Sequence, residues 1–319
     1  MVFWNSNKFE VEDKLVVISG ASQGLGLALA KDVFKRGANL VLVARRVQLL
    51  QDAVKQIEKL RVSPNQTVIF INADLSISTE AERVVNSLPQ PPDVLLCCAG
   101  SSIPKLFVDL TTDELRSGID VNYCTALYLA HAGLKAMTKV EVPNYTRHIV
   151  FFSSVVGFYS FIGYGQYAPL KSALRSLGDV LRQESIPYDI KVPVVFAGNF
   201  LSEGYEIENK FKPEITKKIE GPSQAITAEE CSARVLSRLD AGDELIVTDF
   251  IGTVLSSTML GGAYRSIVQV FFAILLAIFA PVVEWTQRRD IKSFYASKRI
   301  NTAASSESEI PGNKSTKNE

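Results

Sequence analysis

Tyr167 and Lys171 lie four residues apart in the run Tyr167-Ala168-Pro169-Leu170-Lys171, a spacing that brings both side chains to one face of a helix. Ser154 lies thirteen residues before the tyrosine. These three types together suit the reduction of a carbonyl. The carbonyl carbon takes a hydride, and the oxygen, becoming an alkoxide, needs a proton. A free phenol titrates at about 10, so a tyrosine in this role must be tuned toward the working pH. An adjacent ammonium favours the phenolate and is expected to lower that pKa. A serine hydroxyl can hold the carbonyl oxygen and stabilise the charge that grows on it. A tyrosine four residues before a lysine is common, so the assignment depends on what accompanies the pair.

Residues 15–26 read LVVISGASQGLG, an apolar run entering a glycine-rich turn that opens a helix. Gly20 allows a tight bend, Gly24 lets backbone approach a pyrophosphate, and Gly26 lets the helix pack on the strand. Ser22, Gln23 and Leu25 fill the turn and count with the glycines as cofactor contacts. The helix N-terminus adds free N–H groups and a positive dipole end for phosphate. The required context, strand before and helix after, is met. At the end of the second strand, enzymes that use NAD carry an acidic residue for the ribose 2′-hydroxyl. Here the chain reads Ala44-Arg45-Arg46. Guanidinium groups suit a 2′-phosphate through paired, charge-assisted bonds. The expected cofactor is NADPH, bound through Arg45 and Arg46, with Ser22 as a second donor.

The elements that must position these residues alternate along the first two thirds of the chain. Residues 15–18, 40–43, 68–71, 94–98, 149–152, 192–196 and 245–247 read as buried parallel strands. Helix-length patterns at 25–36, 47–60, 79–88 and 115–137 lie between them. The alternation predicts an α/β fold, a Rossmann-type doubly wound parallel sheet of about seven strands with helices on both faces. Ser154 then falls at the carboxyl end of a strand, where such sheets form their sites. The polar stretch 199–227 suits a mobile flap over that site.

Lys plus Arg and Asp plus Glu number 34 each, so net charge gives no case for a nucleic-acid partner. Cys97, Cys98, Cys124 and Cys231 show no metal-ligand spacing, and adjacent Cys97 and Cys98, inside an apolar run, read as small core residues in a reducing compartment. His131 and His148 read as surface or packing residues, and no metal site is expected. Residues 1–14 lack the apolar core of a signal peptide, which leaves the catalytic part in the cytosol.

The motifs resemble those of the short-chain dehydrogenase/reductase family over residues from about Leu15 to Val247. Ser19-Gly20-Ala21-Ser22-Gln23-Gly24-Leu25-Gly26 is similar to its TGxxxGxG turn, with Ser for Thr. Asp74-Leu75 corresponds to the pair that contacts adenine. Cys97-Cys98-Ala99-Gly100 stands where the family has NNAG, so only Ala-Gly survives and Gly100 is expected to line the cofactor. Asn122 corresponds to the family's catalytic asparagine, which supports a water bound to the lysine. Ala197-Gly198-Asn199-Phe200-Leu201-Ser202 corresponds to PGxxxT, which implies a cofactor contact at Ser202. The resemblance implies Ser154, Tyr167, Lys171 and Asn122 as the catalytic set, with Tyr167 and Lys171 also touching the cofactor.

A narrower resemblance is to the fungal 3-ketodihydrosphingosine reductases of the endoplasmic reticulum. It rests on Tyr167-Ala168-Pro169-Leu170-Lys171, Arg182-Gln183-Glu184, Gly198-Asn199-Phe200, the segments 213–217 and 219–223, and Thr248-Asp249-Phe250. It implies a long-chain keto-lipid substrate, 3-ketosphinganine, reduced to sphinganine. A membrane-bound reductase of steroids or retinoids would share the arginine pair and the triad. A catalytically idle NADPH-binding scaffold would have no need of an intact Ser154, Tyr167 and Lys171.

Three regions are expected: a catalytic domain at 1–249, a membrane-associated segment at 250–292, and a disordered polar tail at 293–319. Residues 267–283 hold one polar side chain, Gln269, and as a helix would extend about 25 Å. That is borderline for crossing a hydrocarbon core of about 30 Å unless Tyr264 and Trp285 mark the two interfaces. Arg288, Arg289 and Lys292 follow the segment and favour the cytosolic side. The expectation is therefore an in-plane or re-entrant anchor, with 250–263 as a first limb and Pro281 breaking the helix. The resemblance to the fungal reductases implies an endoplasmic reticulum location with the catalytic domain facing the cytosol. Asn313-Lys314-Ser315 is a glycosylation acceptor in the tail. A homo-oligomer is left open.

Overall fold

Alternate side chains of the first strand enter opposite sides of one sheet, and both sides are apolar. Val16 and Ile18 pack with Leu29, Val33 and Phe34, whereas Leu15 and Val17 pack with Leu95, Leu129 and Phe151. A strand buried on both faces has no polar alternation, which is why these segments read as continuous apolar runs. The computed structural model describes residues 9–221, 224–257 and 267–308. Its strands are β1 (Leu15–Ser19), β2 (Asn39–Ala44), β3 (Val68–Asn72), β4 (Val94–Cys97), β5 (Arg147–Ser154), β6 (Ile190–Lys191), β7 (Val194–Ala197) and β8 (Leu245–Val247). The order is β3-β2-β1-β4-β5-β7-β8, all parallel, with β6 paired to β5.

Helices α1 (Gly24–Lys35), α2 (Val47–Glu58) and α9 (Ala228–Asp240) cover one face. Helices α3 (Ser78–Asn86), α5 (Thr125–Met137) and α6 (Ala168–Glu184) cover the other. The remaining helices are α4 (Thr112–Ile119), α7 (Glu203–Phe211), α8 (Glu214–Glu220), α10 (Phe250–Ser256) and α11 (Ile267–Ser308). The chain direction across the sheet reverses between β1 and β4, where Ser19 stands in register with Cys97. The glycine turn and the segment Cys98–Gly100 therefore leave the sheet side by side at this switch point, where open α/β sheets bind ligands.

Four expectations change. The sheet has eight strands because Pro193, which has no N–H, separates β6 from β7. The helix expected at 115–137 is α4 and α5 joined by a π-helical turn, Asp120–Cys124, which contains Asn122. The polar flap holds two helices, α7 and α8, started by Ser202 and Pro213. Its Lys212 is buried rather than solvated. Helix α11 runs from Ile267 to Ser308 with no break at Pro281, so the tail expected to be disordered from 293 is helical to Ser308.

Two compact units divide the chain, one ending at Phe272 and one beginning at Ala273. Ile267, Val268, Phe271, Ile274, Ile278 and Phe279 of α11 are exposed. Among the described residues, no helix is long and apolar enough to cross a membrane. Tyr264, Pro222, Ser223 and Asn313 lie outside the described residues, as does most of the second half of the proposed first limb.

Candidate active site

The glycine turn is built so that backbone can lie against a flat, charged group. Gly20 has φ +67° and donates its N–H to the Val43 carbonyl at 2.9 Å. A Cβ there would come within 2.9 Å of Ala99 backbone, and one on Gly26 would overlap the Gly20 carbonyl oxygen. Gln23 starts α1 without a side-chain cap, and the first turn carries no acidic residue. The first N–H groups of α1 are thus left for an anion. This cradle fits a dinucleotide pyrophosphate.

Arg46 donates to Gln23 Oε1 and so lies along the glycine turn, with Glu203 at 3.9 Å. Arg45 is exposed at the same edge, and Asn72 Nδ2 fixes its backbone by donating to its carbonyl at 2.7 Å. Ser22 is half-buried in the turn. Asp74 Oδ1 accepts from Ser76 N at 3.0 Å and Ser76 Oγ at 2.7 Å, which shapes the loop after β3, and Leu75 beside it is buried. Ser202 accepts from Tyr205 N at 3.1 Å as the cap of α7, and its Cβ sits 3.6 Å from where a Gly24 Cβ would be. The capping oxygen keeps its hydrogen free to donate.

Ser154 ends β5 and Tyr167 is the residue that starts α6, with Lys171 one turn further on. Ser153 Oγ donates to the Lys171 carbonyl at 2.8 Å and Ser172 Oγ to the Gly157 carbonyl at 3.0 Å, so α6 is locked to the end of β5. That lock sets the three side chains. The Ser154 and Tyr167 hydroxyls are hydrogen-bonded. Lys171 Nζ donates to the Phe152 carbonyl at 2.8 Å and stands 5.3 Å from the Tyr167 ring centre.

Asn122 joins them from the other side. Its Nδ2 donates to the Ser101 carbonyl at 2.7 Å and its Oδ1 accepts from Ser101 N at 3.0 Å. A Cβ on Gly100 would lie 3.0 Å from both Asn122 Oδ1 and Lys171 Nζ. Gly100, Asn122 and Lys171 therefore meet, and π-helical turns of this kind often mark such places.

Electrostatics correct one expectation. Burial pushes the Tyr167 phenol well above its ordinary range, the Glu208 carboxylate adds to this, and the Ser154 hydrogen bond opposes it. Lys171 is not the controlling charge. Burial lowers its own pKa to about 8. The phenol is held neutral, which is the form a proton donor needs. Burial likewise pushes Cys97 up to about 12, an inert thiol, and lowers His148 to about 4, consistent with packing against Phe9. No group of potential metal ligands occurs among the described residues.

Sequence reasoning missed Glu208, Ser102 and Tyr164. Tyr164 Oη donates to Glu208 Oε1 at 2.6 Å, and Ser102 Oγ donates to Glu208 Oε2. It also missed what Thr248 and Asp249 do. Thr248 Oγ1 accepts from Gly198 N at 2.9 Å, and Asp249 packs so closely on Gly198 that a Cβ there would overlap its carboxylate. These two residues hold the loop that carries Asn199 and Phe200.

A family profile described as short chain dehydrogenase matches residues 14–211. The chain belongs to the short chain dehydrogenase family. As a member it is an oxidoreductase of the nicotinamide-cofactor class. Among curated relatives, the chain is 44% identical to a 3-ketodihydrosphingosine reductase TSC10 of Yarrowia lipolytica (strain CLIB 122 / E 150), over 90% of this chain and 79% of that one. It is 42% identical to one of Debaryomyces hansenii, over 93% and 94%. A short-chain type dehydrogenase/reductase from Mycobacterium marinum has the same fold, with a TM-score of 0.66 and 21% identity over 76% of this chain and 96% of that one.

Proposed function

We propose that this dehydrogenase uses NADPH to reduce 3-ketosphinganine to sphinganine, a step of sphingolipid synthesis. The observation that carries the reading is the catalytic set on a chain more than two fifths identical to such reductases over most of its length. Bound at the glycine cradle, the reduced nicotinamide supplies the hydride. Tyr167, neutral in its buried setting, donates the proton to the developing alkoxide. Ser154 shares that oxygen and stabilises its charge. Lys171, below pH about 8 an ammonium, orients the cofactor's ribose and favours the phenolate left after transfer. Asn122 holds the backbone around Ser101 and Gly100 so that a water can join the lysine. Depleting the protein from cells should raise 3-ketosphinganine and lower sphinganine. Unchanged levels of both would contradict the reading.

The cofactor choice is NADPH because Arg45 and Arg46 replace the acid that a 2′-hydroxyl needs. Arg45→Ala should raise KM for NADPH about tenfold or more, since a charge-assisted bond contributes about 1.5–3 kcal/mol. KM for NADH should hardly move. Equal losses with both cofactors, measured by steady-state kinetics, would mean that Arg45 serves the fold. Arg46 is the weaker reader, since it already engages Gln23 and Glu203.

The proposed location is the endoplasmic reticulum membrane, with the catalytic unit in the cytosol and residues 267–283 lying in the membrane plane or re-entering it. Support comes from that stretch's composition and from the row of exposed apolar side chains on α11. The protein should pellet with membranes, resist high-salt extraction and carry no glycan on Asn313. A glycan on Asn313 would put the tail in the lumen.

A further inference from the structure

Two glutamates and one lysine meet where the flap abuts the catalytic centre. Lys212, only 5% exposed, holds Glu208 Oε1 at 3.1 Å and Glu220 Oε2 at 2.6 Å. Asn199 Nδ2 donates to Glu220 Oε1 at 2.9 Å. Within this trio, two carboxylates face one ammonium, and both glutamate side chains are largely out of water, 16% and 15% exposed. Charge drawn out of water calls for compensation. The nearby Lys105 does not supply it, because it pairs with Glu114.

The two glutamates differ in what they face. Glu220 is turned to the flap, bound by Lys212 and Asn199. Glu208 is bound by Tyr164 and Ser102, both on the rim of the catalytic centre. Tyr164 precedes Tyr167 by three residues, with ring centres 6.2 Å apart. Ser102 follows Gly100, which abuts Lys171 Nζ. The Glu208 charge is felt at the Tyr167 phenol. A polar group near this wall lacks a partner: Thr216 Oγ1 is buried without a hydrogen bond, packed on Gly163 next to Tyr164.

We infer that Glu208 receives the ammonium group of the substrate and selects ketones that carry an amine on the carbon next to the carbonyl. The inference rests on the 3-ketosphinganine reading. In such a ketone the nitrogen lies about 3 Å from the carbonyl oxygen, by ordinary bond lengths. The carboxylate that serves it must therefore lie near the proton donor; Glu208, held by Tyr164 and Ser102 on that rim, acts on the Tyr167 phenol, and Glu220 is not among the charges that do. Burial is the main cause of the raised Tyr167 pKa, and the arriving ammonium offsets the part that the Glu208 charge adds, so amine binding eases proton transfer at the neighbouring carbonyl.

The test compares kcat/KM, with NADPH and the full chain, for 3-ketosphinganine and for the same ketone with hydrogen in place of the amine. The wild type should prefer the amino ketone by about tenfold or more, as expected for a largely desolvated charge pair. Glu208→Gln keeps an acceptor for Tyr164 but removes the charge, and should bring the ratio toward one, chiefly through KM of the amino ketone. A Gln variant that loses activity on both ketones and keeps the ratio would make Glu208 structural and overturn the inference. If that variant fails to fold, the wild type decides: equal use of both ketones overturns the inference while leaving the substrate reading intact. No turnover of 3-ketosphinganine by the wild type, with another carbonyl reduced, would overturn both.

Discussion

Tyr167→Phe should lower kcat by roughly 10²–10⁴-fold, the usual worth of a general acid, while NADPH binding stays as it was. The change removes one oxygen. It leaves the ring packing, the glycine cradle and both arginines in place, and Ser154 loses only its tyrosine partner. Binding read by nucleotide fluorescence, beside single-turnover kinetics, separates the two effects. A variant that keeps more than about a tenth of kcat could not be reconciled with proton transfer from Tyr167. Ser154→Ala should lower kcat more than it raises KM, because its bond to the oxygen strengthens as charge develops.

Lys171→Met should be comparably damaging, about 10²-fold or more in kcat/KM, because a charge at the reacting centre is worth most where water is excluded. Lys171 is 3% exposed and lies against Gly100 and Asn122. The pH dependence gives a separate reading of the same group. Its pKa is lowered by burial from 10.5 to about 8. The ammonium is therefore intact below pH about 8 and lost as pH rises through that value, so kcat/KM in the wild type should fall on the alkaline side there. Stability should move the other way. Between about 8 and 10.5 the unfolded chain binds the proton that the folded chain has released, so this group favours folding increasingly as pH rises across that window. A profile flat to pH 10 in the wild type would show that the charge of Lys171 is not needed.

What could be read from the sequence follows from how local each signal is. The apolar runs at Val16–Ile18 and Leu95–Leu96 are buried on both faces, and that condition is written in consecutive residues. The glycine turn, Ser154, Tyr167 and Lys171 are fixed by spacing along one strand-to-helix connection or one helical turn. Pro193 carried its own signal, a missing N–H inside an expected strand, and the break between β6 and β7 falls on it. The π-helical turn at Asn122 had no such mark, because it depends on a hydrogen-bond partner at Ser101 from the neighbouring strand exit. Glu208 was hidden for the same reason. In a polar stretch rich in glutamate and lysine it reads as one more solvated charge, and only the fold brings Tyr164 and Ser102 to it. The expectation for the Tyr167 pKa erred because it weighed the nearest lysine in sequence and not burial, which the sequence does not display.

The most direct test of the whole account is NADPH oxidation by the purified, membrane-reconstituted chain with 3-ketosphinganine, set against steroid ketones and retinal under the same conditions. The kcat/KM for 3-ketosphinganine should exceed the others by about a hundredfold, with sphinganine formed mole for mole with NADPH consumed. Steroid or retinal reduction at an equal or greater kcat/KM would contradict it.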